Sequence, residues 1–347
     1  MTKVTGMTDD TSQQPGRVLA DHLDYLVATA ARAPSVHNTQ PWRFRCAGDA
    51  IELYCDPSRK LRVDPAGREM LISCGAALFG LRLAVRSLGY LPAVELLPDR
   101  SQLRLLARVR AGAREPMTGR EREMLEALPH RHTHRGSFAP GQLPAGLIPG
   151  LQHDALAERA TLVLVDRGLA YQRLADIVSG AGRRLDLDPR ARADIQQWSR
   201  GAAQPARDGI PPQAFPADPA IPAVPAIPAV PGRPGRLRQR DFDLGRGLGQ
   251  LDPGEQIPAV TAVLVTAGDG RADWLRAGQA LHRLLAHAAS KWVFASLYTQ
   301  PLEAHAIRTL IRDRLALPGA PQLLLQLGPA HSTQATARRP PDEVTDR

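Results

Sequence analysis

REMLISCGAALFGLRLAVRSLG, residues 68–89, is the stretch on which the fold turns. It is apolar on most sides, with small residues at Gly75, Ala76, Ala77 and Gly80. Arg82 and Arg86 break the apolar run below membrane-spanning length, so it reads as a buried central helix closed by Gly89. RADWLRAGQALHRLLAHAASKW, residues 271–292, reads as a second long, largely apolar helix. Laid together, Gly75-Ala76-Ala77-Leu78 falls on Gly278-Gln279-Ala280-Leu281, and Leu81 falls on Leu284. Each helix lies between strand-like segments. The match points to an internal duplication, with chance alignment of two Ala/Leu-rich helices as the alternative.

Around these helices the pattern mixes periods. Val18, Leu19, His22, Leu23, Leu26 and Val27 form one stripe of a helix over 17–33. Further helices are expected over 119–135, 145–158, 171–185, 189–201 and 303–315. Strands are expected over 50–56, 93–99, 102–111, 160–166 and 321–328. The predicted class is α+β, with mainly antiparallel sheets flanked by helices in two fused, pseudo-repeated halves. The boundaries are a polar, disordered tail at 1–16, a first half at 17–118 and a second half at 119–347. The second half carries a Pro-rich insertion at about 204–236. There Pro216, Pro219, Pro222, Pro225, Pro228, Pro231 and Pro234 recur every third residue, the period of polyproline II. Such a segment serves as a semi-rigid spacer or flap, or as a ligand for a proline-binding module.

The formal charge of +9 invites a nucleic-acid partner, yet only three of the 44 basic residues are lysines. The arginines are spread along the chain and no nucleic-acid motif spacing occurs, so no nucleic-acid partner is expected. A guanidinium-rich surface does suit a phosphate-bearing ligand. Cys46, Cys55 and Cys74 form no CxxC pair, which argues against a disulfide framework. With no apolar leader and no spanning segment, a cytoplasmic protein without a membrane partner is expected.

Two stretches carry chemistry. Pro34-Ser35-Val36-His37-Asn38-Thr39-Gln40-Pro41-Trp42 can be a helix-to-strand turn in which Ser35 or Asn38 caps. Asn38 and Gln40 together, held between stiffening prolines, also suit a ligand with many polar edges. In HRHTHRGSF, residues 130–138, an extended chain would place His130, His132 and His134 on one face. No acidic or Cys ligand stands near, and Arg131 and Arg135 would repel a cation, so no metal is expected. The alternate set, Arg131, Thr133 and Arg135, frames an anion; a solvated basic turn is the other reading. No GxSxG, HExxH, Walker A loop or placed GxGxxG occurs.

PSVHNTQPW resembles the FMN-binding segment of the nitroreductase superfamily, and RHTHR resembles its phosphate motif. VDPAGRE, CGAALFGLRLAV and WLRAGQALHRLLAHA are together similar to the Acg-type branch of actinobacterial NAD(P)H nitroreductases. The resemblance implies two fused subunits and one FMN pocket per chain, shared between the halves. Pro34, Ser35, Val36 and Asn38 would line the flavin and Gln40 would support the turn. It implies Arg131 on the phosphate, Thr133 as a polar contact and Arg135 as a stabiliser at the N1/O2 edge. Ser296, Leu297 and Tyr298 would stand near N5, with Arg338 on the phosphate and Arg339 as its neighbour. Val36 and Thr133 stand where serine is usual, His37 is unusual, and 190–200 does not repeat the turn. The activity implied is NAD(P)H-linked reduction of a small nitroaromatic or quinone-like acceptor. The alternative is an FMN-sequestering protein of stress or dormancy, its flavin covered by a lid from the insertion. A fused pseudo-dimer needs no second copy, so a monomer is expected.

Overall fold

The structure, a computed structural model, describes residues 15–135, 138–199, 207–211, 237, 260–330 and 336–346. The proline repeat and the tail up to residue 14 lie outside them. The chain opens with α1 (Pro15–Asp21) and α2 (Leu23–Ala30), so the helix expected over 17–33 is two, and the first includes the last two residues of the expected tail. The break falls at His22, whose backbone leaves helical geometry while its ring Nδ1 meets Val18 O at 3.0 Å. The PSVHNTQPW turn follows, then β1 (Trp42–Ala47) and β2 (Ala50–Cys55), the long helix α3 (Arg68–Ser87), β3 (Tyr90–Leu96) and β4 (Leu105–Arg114). These strands form one sheet in the order β3-β4-β2-β1, antiparallel throughout.

The second run begins with α4 (Gly119–Ala127), started by a reciprocal cap. Thr118 Oγ1 accepts from Glu121 N, and Glu121 Oε2 accepts from Thr118 N at 2.8 Å. There follow α5 (Leu147–Ala157), β5 (Ala160–Leu164), α6 (Leu169–Asp186) and α7 (Pro189–Trp198). After these come β6 (Val260–Thr266), α8 (Arg271–Ser290), β7 (Val293–Leu297), α9 (His305–Arg314) and β8 (Ala320–Pro329). The second sheet runs β5-β6-β8-β7, again antiparallel. The two four-strand orders match element for element, with α3 and α8 each bridging the second and third strands. A short helix α10 (Pro341–Val344) and β9 (Thr345–Asp346) then carry the chain back, and β9 pairs parallel with β1 in the first sheet. Residues 345–346, assigned by sequence to the second half, thus complete the first sheet.

α3 and α8 form the centre. A Cβ built on Gly75 would lie 2.2 Å from Leu275 O, and one on Gly278 only 1.9 Å from Ile72 O. The helices touch backbone to backbone, which only glycine allows at these two points. One apolar core fills the space between α3, α2 and the first sheet, and a second lies between α8, α5 and the second sheet. α3 is long and apolar enough by composition to cross a membrane, but 89% of its most apolar window is buried inside the protein. The helix expected over 119–135 stops at Ala127; residues 128–130 form a turn, and Thr133 then bridges Ala295 of β7.

Candidate functional site

The PSVHNTQPW turn leaves α2 and is pinned from several sides. Ser73 Oγ of α3 accepts from Val36 N at 3.2 Å, and Ser35 Oγ accepts from Gln40 N at 3.0 Å. His37, Asn38 and Gln40 all adopt left-handed backbone, with φ of 47°, 55° and 49°. Three such residues in a span of four represent local strain that surrounding bonds must hold. The side chains of Asn38 and Gln40 supply those bonds. Asn38 Nδ2 donates to Gly209 O at 3.0 Å and to Ala337 O at 3.1 Å, while its Oδ1 accepts from Arg338 Nη1 at 3.1 Å. Gln40 Nε2 donates to Arg207 O at 2.7 Å, and its Oε1 accepts from Arg339 N at 2.8 Å.

The second wall is the extended strip after α4. Thr133 bridges Ala295 in parallel, His134 N donates to Ala295 O at 2.9 Å, and Ser296 Oγ donates to His134 O at 3.0 Å. Pleating separates the two residue sets. His130 stacks on Trp292 (centroids 5.0 Å, 11°), His132 lies 4.5 Å from Phe294, and His134 lies 4.7 Å from Phe138. Arg131, Thr133 and Arg135 line a cleft together with Pro34, Ser35 and Asn38. Arg338 closes the cleft from the C-terminal segment, and His132 and Thr336 also line it. Sequence reasoning missed these last two: His132 because alternation assigned it to the other face, Thr336 because no motif marks it.

The remaining predicted residues support the cleft from behind or lie away from it. Gln40 is fully buried in the turn, and Val36 is held through its backbone. Ser296 is buried and Leu297 half-buried on β7 beneath the strip. Arg339 turns its guanidinium to Glu343, donating to its carbonyl at 2.6 Å.

Electrostatically the cleft is unbalanced. Arg131 is 3% exposed, its guanidinium donates from Nη2 to Arg32 O at 3.3 Å, and among the described residues its Nε and Nη1 have no acceptor. Arg338 concentrates four bonds on Nη1, to Asn38, to Ala337 O and twice to Thr336, which leaves its buried Nε without an acceptor. Among the described residues neither arginine has a carboxylate partner. Burial pushes Arg131 and Arg135 down to about 10. Burial and the repulsion of Arg131, Arg32 and Arg135 push Arg338 down to about 9. Crowded guanidinium groups with open donors call for an anion carrying several acceptor oxygens.

A phosphate monoester meets that demand, with the hydroxyls of Ser35, Thr133 and Thr336 at hand. The free volume of the cleft is about 20 Å³, the scale of an oxyanion head or a single water and far below the several hundred Å³ of a whole cofactor pocket. The residues therefore fit the phosphate end of a flavin mononucleotide, and the cleft has room for no more than that end. A roomier cavity of about 380 Å³ beside Leu143, Ile148 and Arg167 contains none of the predicted site residues.

No protein-family model matches the chain. It is 31% identical over 319 residues to a Mycobacterium tuberculosis protein named "Putative NAD(P)H nitroreductase Rv3131", covering 89% of this chain and 85% of that one. It is 28% identical over 332 residues to "Putative NAD(P)H nitroreductase acg" of the same species, covering 94% and 96%. A third similar protein from that species, "Uncharacterized protein Rv3127", is 27% identical over 339 residues, covering 93% and 92%.

Proposed function

This chain belongs to the Acg-type NAD(P)H nitroreductases, and on that premise we propose that it is an FMN-binding oxidoreductase that uses NAD(P)H to reduce nitroaromatic or quinone-like acceptors. The observation that carries the proposal is the cleft of Arg131, Arg135 and Arg338, with donors on Arg131 and Arg338 that no described residue accepts. When bound, FMN supplies the hydride chemistry. Arg131 and Arg338 hold its phosphate, assisted by the hydroxyls of Ser35, Thr133 and Thr336. Arg135 adds positive charge at the same cleft and favours negative charge near it. Asn38 and Gln40 fix the turn that forms one wall, and His132 seats the strip on Phe294.

The matched strand orders and the Gly75–Gly278 contact support a further part of the reading: the chain is two fused nitroreductase-like units. The turn comes from the first unit and RHTHR from the second, which agrees with one FMN per chain. In the second unit, residues 189–198 form the regular helix α7, where no equivalent turn exists.

A storage role is the second reading, favoured by how tightly Asn38 and Gln40 are bound to neighbouring segments. Purified protein reconstituted with FMN is the test, titrated anaerobically with NADPH and then NADH while the visible spectrum is recorded. Bleaching of the flavin band supports the oxidoreductase. A stable yellow complex that neither nucleotide bleaches supports storage.

A further inference from the structure

We infer that the short strap Arg207–Ile210 is the positioning element of the arginine cleft, acting through the side-chain amides of Asn38 and Gln40. The inference rests on the FMN reading and concerns residues to which that reading gives no part. None of Arg207, Asp208, Gly209 or Ile210 lines the cleft.

Each amide bridges two segments distant in sequence. Asn38 joins Gly209 O on the strap to Ala337 O and Arg338 on the C-terminal segment. Gln40 joins Arg207 O on the strap to Arg339 N on that same segment. The strap is seated independently. Gly209 N donates to Asn38 O at 3.2 Å, and Ile210 N donates to Trp198 O at 2.7 Å. Arg59 clamps both partners: its Nε donates to Thr39 O at 2.5 Å, its Nη2 pairs with Asp208, and its guanidinium lies 5.2 Å over the Trp198 ring.

The orientation of the Asn38 amide follows from this arrangement. Two carbonyl oxygens, Gly209 O and Ala337 O, face its NH2 group, so its oxygen must face the Arg338 guanidinium. A flipped amide would set oxygen against two carbonyls and NH2 against a cation. Among the described residues Asn38 Oδ1 is the one acceptor on Arg338 Nη1 that lies outside residues 336–337. The amide therefore ties Arg338 to the turn and leaves its Nε free for an anion. Withdrawing Gly209 O removes one of the two acceptors that set the amide and so loosens the tie between Arg338 and the turn.

The consequence is specific to the phosphate. Loosening the strap should weaken ligands that carry a phosphate and spare those that lack one. The test compares FMN with riboflavin, by quenching of flavin fluorescence, on wild type, Asp208→Ala and the milder Asp208→Asn. Neither substitution touches a cleft residue; Asp208→Ala removes the ion pair with Arg59, and Asp208→Asn weakens it to a neutral hydrogen bond. FMN affinity should fall about tenfold or more, the scale of one charge-assisted hydrogen bond, while riboflavin affinity stays within about twofold. Equal weakening of both flavins would reveal general loosening and overturn the inference, as would unchanged FMN affinity. The milder variant keeps the comparison readable should Asp208→Ala fold poorly. If wild type itself shows no preference for FMN over riboflavin, the phosphate reading of the cleft falls first and the strap inference falls with it. If wild type prefers FMN and both variants keep that preference, the strap inference alone falls.

Discussion

Gly75 and Gly278 meet where α3 crosses α8, and a Cβ on Gly278 would lie 2.9 Å from Gly75 Cα. The contact joins the central helices that pack on the two sheets, α3 on the first and α8 on the second.

Gly278→Ala is expected to destabilise the fold by about 2–4 kcal/mol, because the new methyl meets the backbone oxygen of Ile72, which cannot swing away as a side chain would. Gly182→Ala, in the interior of α6 with no described atom within 4 Å of the new Cβ, should instead stabilise by about 0.5–1 kcal/mol. Urea unfolding of the two variants checks both signs.

Anions should stabilise the flavin-free protein. At constant ionic strength, millimolar phosphate should raise the thermal midpoint of wild type by several times its effect on Arg131→Gln. In anion-free buffer Arg131→Gln should be at least as stable as wild type, since it removes a buried cation whose Nε and Nη1 have no acceptor. Thermal melts of both proteins with and without phosphate decide this.

His282 gives a pH signature. It is fully buried between α3 and α8, and its Nδ1 lies 2.7 Å from Ala76 O. Burial, assisted by repulsion from Arg131, holds it down to about 3 against an ordinary 6.5. The unfolded chain binds the proton near 6.5 and the folded chain does not until near 3, so its contribution is present above 6.5 and is lost as pH falls through that window. Wild type should lose stability between pH 7 and about 4.5 more steeply than His282→Gln, as measured by urea unfolding at several pH values.

Some of this was legible in the sequence for identifiable reasons. The alternation of HRHTHR separated Arg131, Thr133 and Arg135, which line the cleft, from His130 and His134, but it placed His132 on the wrong side, since His132 lines the cleft as well. The helices α3 and α8 followed from composition and length. The strip was also read as part of a helix reaching residue 135, because nothing local reveals that β7 captures it through Thr133 and His134. Strand β6, VTAVLVT, is buried at nearly every position and so lacks the alternation that marks a half-exposed strand. β1 mixes arginines with aromatics and is defined by its pairing with β2. The bonds from Asn38 to Gly209, Ala337 and Arg338 span 171 to 300 residues. Spacing carries no trace of such contacts, so the strap and Thr336 emerged only from the three-dimensional arrangement.

The most direct measurement of the central claim is the affinity of the flavin-free protein for FMN and for riboflavin, side by side, in wild type and Arg338→Gln. A phosphate held by Arg131 and Arg338 predicts that wild type binds FMN at least about a hundredfold more tightly than riboflavin, and that Arg338→Gln loses most of that margin. Equal affinity of wild type for the two flavins, or no binding of either, would contradict the account.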